Sequence, residues 1–349
     1  MKTICILRST TLSKRRNYGS KIVSIPETVL EMNNLPDLSC SNYTNIIFSE
    51  ETYSYISLPG KDLRISITSA CNMACSYCHN EGCSFISQLS IEQVKYIVKE
   101  SMCYGVKSIK ITGGEPLLHP DVYEICRHIK SHYNGIILGI NTNGIERNKI
   151  LYLVQEKLVD RIVFGIDLFD GVISKNSTIG LPSKTILDTV LAVKRLNSAV
   201  EIDMVFNNDY ENLLYMIQWC LKNKVILKVL EIIDDQVYNL PDRLFTDAIK
   251  KIMQDLDLKA GLNLVYNDPY LFDLHDADKI KIFFYHSLCR TRECSKCAKM
   301  HMRITCTGKA KPCLINPKTE FPLLGVDFHV NMRKAICAMG ISPKCEVHI

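Results

Sequence analysis

Cys71, Cys75 and Cys78 place three thiols within eight residues, in the run Cys71-Asn-Met-Ala-Cys75-Ser-Tyr-Cys78. Zinc is the plainest ligand for clustered thiolates, but a closed structural zinc site takes four donors. No fourth cysteine falls at a matching spacing. Cys83 is offset, and His79 directly follows Cys78, too close to share its metal. Three thiolates suit a cubane iron–sulfur cluster in which one iron stays open to a substrate or cofactor. A second gathering lies far downstream, with Cys289, Cys294, Cys297, Cys306 and Cys313 inside 25 residues. On spacing alone its Cys294-x2-Cys297 pair also fits a zinc ribbon. Arg290, Arg292, Lys296 and Lys299 beside it read as a solvated face, or as a grip for an anionic group.

The chain has 349 residues and 16 cysteines. In a chain this long with no secretory N-terminus, that count points to metal or redox chemistry more than to a disulfide framework. The scattered Cys5, Cys40, Cys83, Cys103, Cys126, Cys220, Cys337 and Cys345 read mostly as buried free thiols. Forty-two basic and 37 acidic side chains leave a net charge of +5, which gives no reason to expect a nucleic-acid polymer as partner. No stretch approaches the roughly 20 apolar residues of a membrane span. A cytoplasmic protein is expected.

The thiols must be carried by something, and from residue 61 a rhythm begins. Leu63–Thr68, Ser108–Thr112, Ile136–Ile140, Arg161–Ile166, Glu201–Phe206 and Val225–Glu231 are β-branched runs of strand length. Between them, apolar residues at three- and four-residue spacing predict helices over Ile91–Tyr104, Val122–Ser131, Lys149–Leu158, Thr185–Leu196 and Leu213–Leu221. Ser90 with Gln93 forms a capping-box pattern before the first. Strand–helix alternation implies α/β architecture with a parallel sheet. Six units are too few for a closed eight-stranded barrel and predict a partial (β/α)6 one. Residues 1–60 form an N-terminal extension with weak strand signals such as Asn45–Ser49. Residues 61–235 form the core, and 236–349 a C-terminal domain with one helix at Asp242–Leu256 and then loops. The first cysteine run follows the first strand, where active-site loops of such folds are built.

With these pieces in order, the sequence resembles the radical S-adenosylmethionine (SAM) superfamily. Its signature is C-x3-C-x2-C with an aromatic before the last cysteine, and Gly113-Gly114-Glu115-Pro116 stands where that superfamily carries its glycine-rich motif. The stretch from residue 60 onward is similar to the MoaA family, the GTP cyclases of molybdenum-cofactor biosynthesis. Arg64 in LRISIT, Lys110 before the GGEP, Asn141-Thr-Asn-Gly144, Gly165-Ile-Asp167, Lys228-Val-Leu-Glu231, Arg303, Gly308 and Cys313-Leu314 fall in step with its motifs.

The resemblance implies two 4Fe–4S clusters. One sits on Cys71, Cys75 and Cys78; the other on Cys294, Cys297 and Cys313, with Cys289 or Cys306 as a fourth ligand in one reading. SAM would be held by Tyr77, Gly113, Gly114, Glu115, Asn141, Asn143, Gly165, Asp167, Glu231 and Ile233, the two glycines admitting close approach of its methionine moiety. It would be cleaved reductively to a 5′-deoxyadenosyl radical, with an electron from a donor such as flavodoxin or ferredoxin. Arg64, Lys110, Glu201, His301 and Arg303 become the substrate candidates. Three departures point away from GTP. Glu201 stands where the family has a lysine, His301 replaces a basic residue, and the chain ends at Ile349 without a Gly-Gly tail. The expected substrate is another small molecule, a nucleotide or other metabolite; a peptide is the alternative, and a non-catalytic iron–sulfur or zinc scaffold a third reading.

Overall fold

The computed structural model describes residues 58–75, 77–79, 86–166, 183–196, 198–206, 208–231, 243–256, 263–268, 271–275, 281–285, 301–314 and 320–339. The weak strand signal at Asn45–Ser49 lies outside them. Six strands, β1 (Asp62–Ser66), β2 (Ser108–Thr112), β3 (Ile137–Thr142), β4 (Arg161–Gly165), β5 (Ala199–Phe206) and β6 (Ile226–Glu231), stand side by side in chain order. Every neighbouring pair among them is parallel. Helices α1 (Ile91–Ser101), α2 (Val122–His132), α3 (Arg147–Gln155), α4 (Ser183–Arg195) and α5 (Tyr210–Asn223) make the crossovers, as the periodicity predicts. Ser90 caps α1: its hydroxyl accepts from Gln93 N–H while the Gln93 side chain accepts from Ser90 N–H.

Period-two alternation assigns the faces of the sheet. Leu63, Ile65, Ile109, Ile111, Leu138, Ile140, Ile202, Met204, Leu227 and Val229 belong to one buried apolar cluster with Val94, Ile97, Ile125, Ile129, Leu213 and Met216 of the helices. Burying each such side chain contributes about 1.5–3 kcal/mol. The residues of opposite parity (Asp62, Arg64, Lys110, Glu201, Asp203 and Lys228) therefore share the inner face. Among the scattered cysteines, Cys126 and Cys220 are buried, Cys337 is half-buried and Cys103 is exposed.

The helix expected near Asp242–Leu256 is present as α6 (Arg243–Asp255), but the loops expected after it are largely strands. β7 (Asn263–Asp268), β8 (Leu271–His275) and β9 (Lys281–Tyr285) add to the β6 edge, β9 in parallel. β10 (Met302–Ile304), β11 (Lys309–Lys311) and β12 (Phe321–Pro322) add to the opposite edge, with β10 parallel to β1. Of these, β10, β11 and β12 run only two or three residues, too short for a periodic signal to stand out. The chain's later part thus extends both edges of the core sheet, and α7 (Phe328–Ala338) follows. No helix among the described residues is long and apolar enough to cross a membrane.

Candidate functional site

The cysteine run leaves the C-terminal end of β1 and is fixed by the loops after β2 and β3. Gly114 N–H donates to Thr68 O and Glu115 N–H to Ala70 O, each at 2.7 Å. This contact is why glycine is needed: a Cβ on Gly113 would lie 2.3 Å from Thr68 O, and one on Gly114 2.4 Å from Ala70 O. The demand for small residues comes from the protein's own backbone, before any ligand is considered.

Glu115 is fully buried and turns its carboxylate onto the β3 loop. It accepts from Asn143 N–H (2.7 Å), Leu117 N–H (3.0 Å) and Thr142 Oγ1 (3.0 Å). Burial raises its pKa, and those three donors oppose the rise. Asn143 then reaches across to the cysteine loop, its Nδ2 donating to Asn72 Oδ1 at 2.7 Å. Three loops are tied into one frame.

Cys71, Cys75 and Cys78 are in no disulfide, and Met73 N–H points at Cys71 Sγ at 3.4 Å. Burial, and then Glu115 and Cys78, push the Cys71 thiol up despite that N–H. Among the described residues no three Cys, His, Asp or Glu side chains converge on one ion position. Tyr77 is half-buried between Cys75 and Cys78. Gly165 and Glu231 close β4 and β6 at the same end of the barrel, while Asp167 and Ile233 lie outside the described residues.

Below this frame the inner wall is charged. Arg64 pairs in register with Arg303 on one side and Lys110 on the other, so three cations occupy neighbouring strands. Asp62 lies 3.7 Å from Lys110 and accepts from Ser108 Oγ. On the far wall Glu201 and Lys228 form an ion pair, and Asp203 stands opposite Lys228 in register. Burial would lower Lys228, but Asp203 and Glu201 raise it. Burial pushes Asp203 up to about 6, with Glu201 adding and Lys228, Arg64 and Lys110 opposing. Lys110 is lowered, first by burial. His301 is held well below its usual value by burial and then by Arg303, Arg64 and Lys110, so it stands neutral beside the cations. Asp203 Oδ1, Asn141 Oδ1 and His301 Nε2 are enclosed and make no hydrogen bond.

All five substrate candidates from the sequence are therefore on or beside this wall. Glu201 departs from expectation in one respect: its charge is met by Lys228, so it does not face the interior as an unmatched anion. Sequence reasoning missed Asp203 and assigned no substrate role to Lys228. Their inward parity on β5 and β6, shared with Glu201, was the available signal.

Of the second cysteine group, Cys306 and Cys313 are described; Cys289, Cys294 and Cys297 lie outside the described residues. Cys306, in the β10–β11 turn, is buried and disulfide-bonded, while Cys313, just past β11, is in no disulfide. Ser87 Oγ donates to Cys306 O at 3.4 Å, linking this turn to the stretch after the first cysteine run.

Residues 65–220 match the Radical SAM superfamily. The chain is 32% identical over 270 residues to the probable GTP 3′,8-cyclase of Methanococcus aeolicus, an overlap of 73% of this chain and 85% of that protein. The chain belongs to the radical SAM superfamily, in its MoaA-like family. A second probable GTP 3′,8-cyclase, from Thermoplasma volcanium, is 27% identical over 285 residues, 77% of this chain and 84% of that one. Among solved structures, Streptococcus suis SuiB bound to precursor peptide SuiA superposes with TM-score 0.57 at 15% identity, covering 91% of this chain and 75% of that one. Native anSMEcpe with bound AdoMet gives TM-score 0.56 at 15% identity and covers 81% of each chain. These two share the fold. This MoaA-like enzyme thus carries the cysteine loop that its superfamily uses for a 4Fe–4S cluster and SAM, and three thiols outside any disulfide, with a backbone N–H aimed at one of them, fit that use.

Proposed function

We propose that this enzyme uses reductive SAM cleavage to remove a hydrogen atom from a small-molecule substrate other than GTP. Cys71, Cys75 and Cys78 would hold the first 4Fe–4S cluster. Glu115, Asn141, Asn143, Gly165, Asp167, Glu231 and Ile233, with Tyr77 and the two glycines, would receive SAM. Bound there, cluster and SAM supply a 5′-deoxyadenosyl radical when an electron arrives from a low-potential donor such as flavodoxin or ferredoxin. The Glu115 clamp keeps the cysteine, GGEP and Asn143 loops in one geometry, so little reorganisation remains for binding. A second cluster would sit on Cys294, Cys297 and Cys313.

The observation that carries the substrate reading is the pairing of the inner wall. Of four inward cations, Lys228 is matched by Glu201 and Lys110 by Asp62, and His301 is neutral. A triphosphate needs several converging cations whose charge is not already spent.

Anaerobic protein with iron and sulfide restored should contain about eight irons per chain, as two cubanes. Zinc in the C-terminal half would sink the second-cluster assignment. With SAM, dithionite and GTP, the 3′,8-cyclised nucleotide should not form; its appearance at rates like those of the cyclases would show that the paired wall still accepts a triphosphate.

A further inference from the structure

The inner wall is polar in an ordered way. Arg64, Lys110 and Arg303 stand on three neighbouring strands, with neutral His301 beside them. Across the barrel, β5 and β6 bring Glu201, Asp203 and Lys228 together. Lys228 is committed to Glu201, as its Nζ donates to Glu201 Oε1. Asp203 is different. As a residue it is half-buried, yet its Oδ1 is shut off from solvent and receives no hydrogen bond. An enclosed carboxylate oxygen without a donor is costly, and such atoms mark a place where a donor arrives from outside the chain. Its register neighbour on β4 is Gly165, where an added Cβ would meet nothing nearer than Thr142 O at 3.9 Å, so no side chain covers the carboxylate from that strand. Asn141 Oδ1, also without a donor, lies on β3 beside the cofactor frame and is left to SAM.

Counting formal charge, Arg64, Lys110, Lys228 and Arg303 face Asp62, Glu201 and Asp203, so the wall is within one unit of neutrality. A ligand that keeps that balance carries little net charge. One that uses both walls presents an acid group to the guanidinium side and a donor-rich cation to Asp203.

We propose that the substrate is a small zwitterion of the amino-acid type, its free ammonium group donating to Asp203 Oδ1 and its acid group held between Arg64 and Arg303. This rests on the substrate side of the proposed function, and it names the substrate class that the paired charges there fit. Guanidinium pairs recognise a carboxylate in a planar, two-bonded way. The ammonium replaces the donors that the protein does not supply. Asp203, pushed up to about 6, is ionised at neutral pH and becomes more so when a cation docks against it. Asp203 is then a specificity-determining residue, selecting for an unblocked amine.

The test uses full-length reconstituted protein with SAM and without reductant, so that no turnover intervenes. Binding of the twenty proteinogenic amino acids, of their N-acetyl derivatives and of GTP is measured by equilibrium dialysis. At least one free amino acid should bind about 10–100-fold more tightly than its N-acetyl form, the worth of one charge-assisted hydrogen bond. GTP should bind more weakly than that amino acid. Asp203→Asn should bring the free-to-acetyl ratio close to one, and Asp203→Glu should recover part of it, with thermal unfolding confirming that both variants are folded. The proposal is overturned if no free amino acid outbinds its acetylated form, if GTP binds best, or if Asp203→Asn leaves the ratio unchanged. A separate measurement, 5′-deoxyadenosine release with dithionite, decides the radical reading. Its failure leaves the binding ratio standing or falling by itself.

Discussion

Glu115 and Asp203 are both carboxylates inside one barrel, and burial raises the pKa of both. Glu115 spends its oxygens on three donors from its own chain, whereas Asp203 keeps an enclosed oxygen that accepts no hydrogen bond. The cofactor end is finished by the polypeptide and holds its shape unaided. The proposed substrate end keeps an enclosed oxygen without a donor, and in the proposal above that oxygen is the mark of what enters. The same desolvation thus makes a clamp in one place and a socket in the other, depending on whether the chain supplies donors.

The largest effect that would expose this division is at the cysteine loop. Replacing Cys71, Cys75 and Cys78 with alanine should reduce 5′-deoxyadenosine formation by more than about 10^4-fold, since enzymes typically accelerate reactions by at least about 10^6-fold. The iron content should fall by about half, to roughly four per chain, if each cubane holds four irons. Residual cleavage in the triple variant would remove the mechanism.

Next is the clamp. Glu115→Ala strands Leu117 N–H, Asn143 N–H and the Thr142 hydroxyl, and a stranded buried donor costs about 1–3 kcal/mol. A loss of about 3 kcal/mol or more in denaturant unfolding is expected. A loss below about 1 kcal/mol would mean that water relieves those donors and that the frame is not self-sufficient.

The socket should show itself through pH. Asp203 has its folded-state pKa raised to about 6 from an ordinary value of 3.8, so the fold favours its protonated form. Its contribution is therefore fully present below about pH 4 and is lost as pH rises through about 6. Asp203→Asn should flatten that decline in urea-unfolding stability, because an amide does not ionise. An unchanged slope would show that Glu201, Lys228, Arg64 and Lys110 govern the titration between them.

The smallest effect separates a brace from a clamp. Asn72→Ala removes the single bond from Asn143 to the cysteine loop and should cost about 1 kcal/mol. A cost as large as that of Glu115→Ala would place the stiffness of the frame in the cysteine loop itself.

Much of the cofactor end was legible in the sequence because its signals are local. The three cysteines, the Gly113-Gly114-Glu115-Pro116 turn and Asn141–Gly144 each sit at the end of a strand marked by β-branched runs, and the strands landed within a few residues of expectation. What could not be read locally is which partner each polar group meets. Asp203 and Lys228 alternate with apolar residues, as on any half-solvated strand, and only the helices packed against the other face mark this one as the inner face. Glu201 reads as an unmatched negative charge until β6 places Lys228 against it. The sequence reading gave the two glycines to the methionine moiety of SAM, whereas the backbone they accommodate in the structure belongs to Thr68, Ser69 and Ala70, about 45 residues earlier and invisible to spacing. The late strands escaped because pairs as short as Lys309–Lys311 with Phe321–Pro322 gain their stability from a pre-existing edge, not from their own pattern.

The seat of β10 beside β1 has a consequence for how the chain is made. One edge of β1, which carries Arg64, is covered only when Met302–Ile304 arrives, although Asp62–Ser66 is synthesised early. At about 5–20 residues per second, the wait on a ribosome is on the order of 10–50 s. Throughout that interval the nascent β1 offers open backbone groups to any passing strand. A charged side chain on such an edge discourages mispairing, and β1 carries Arg64 and Asp62 through that wait.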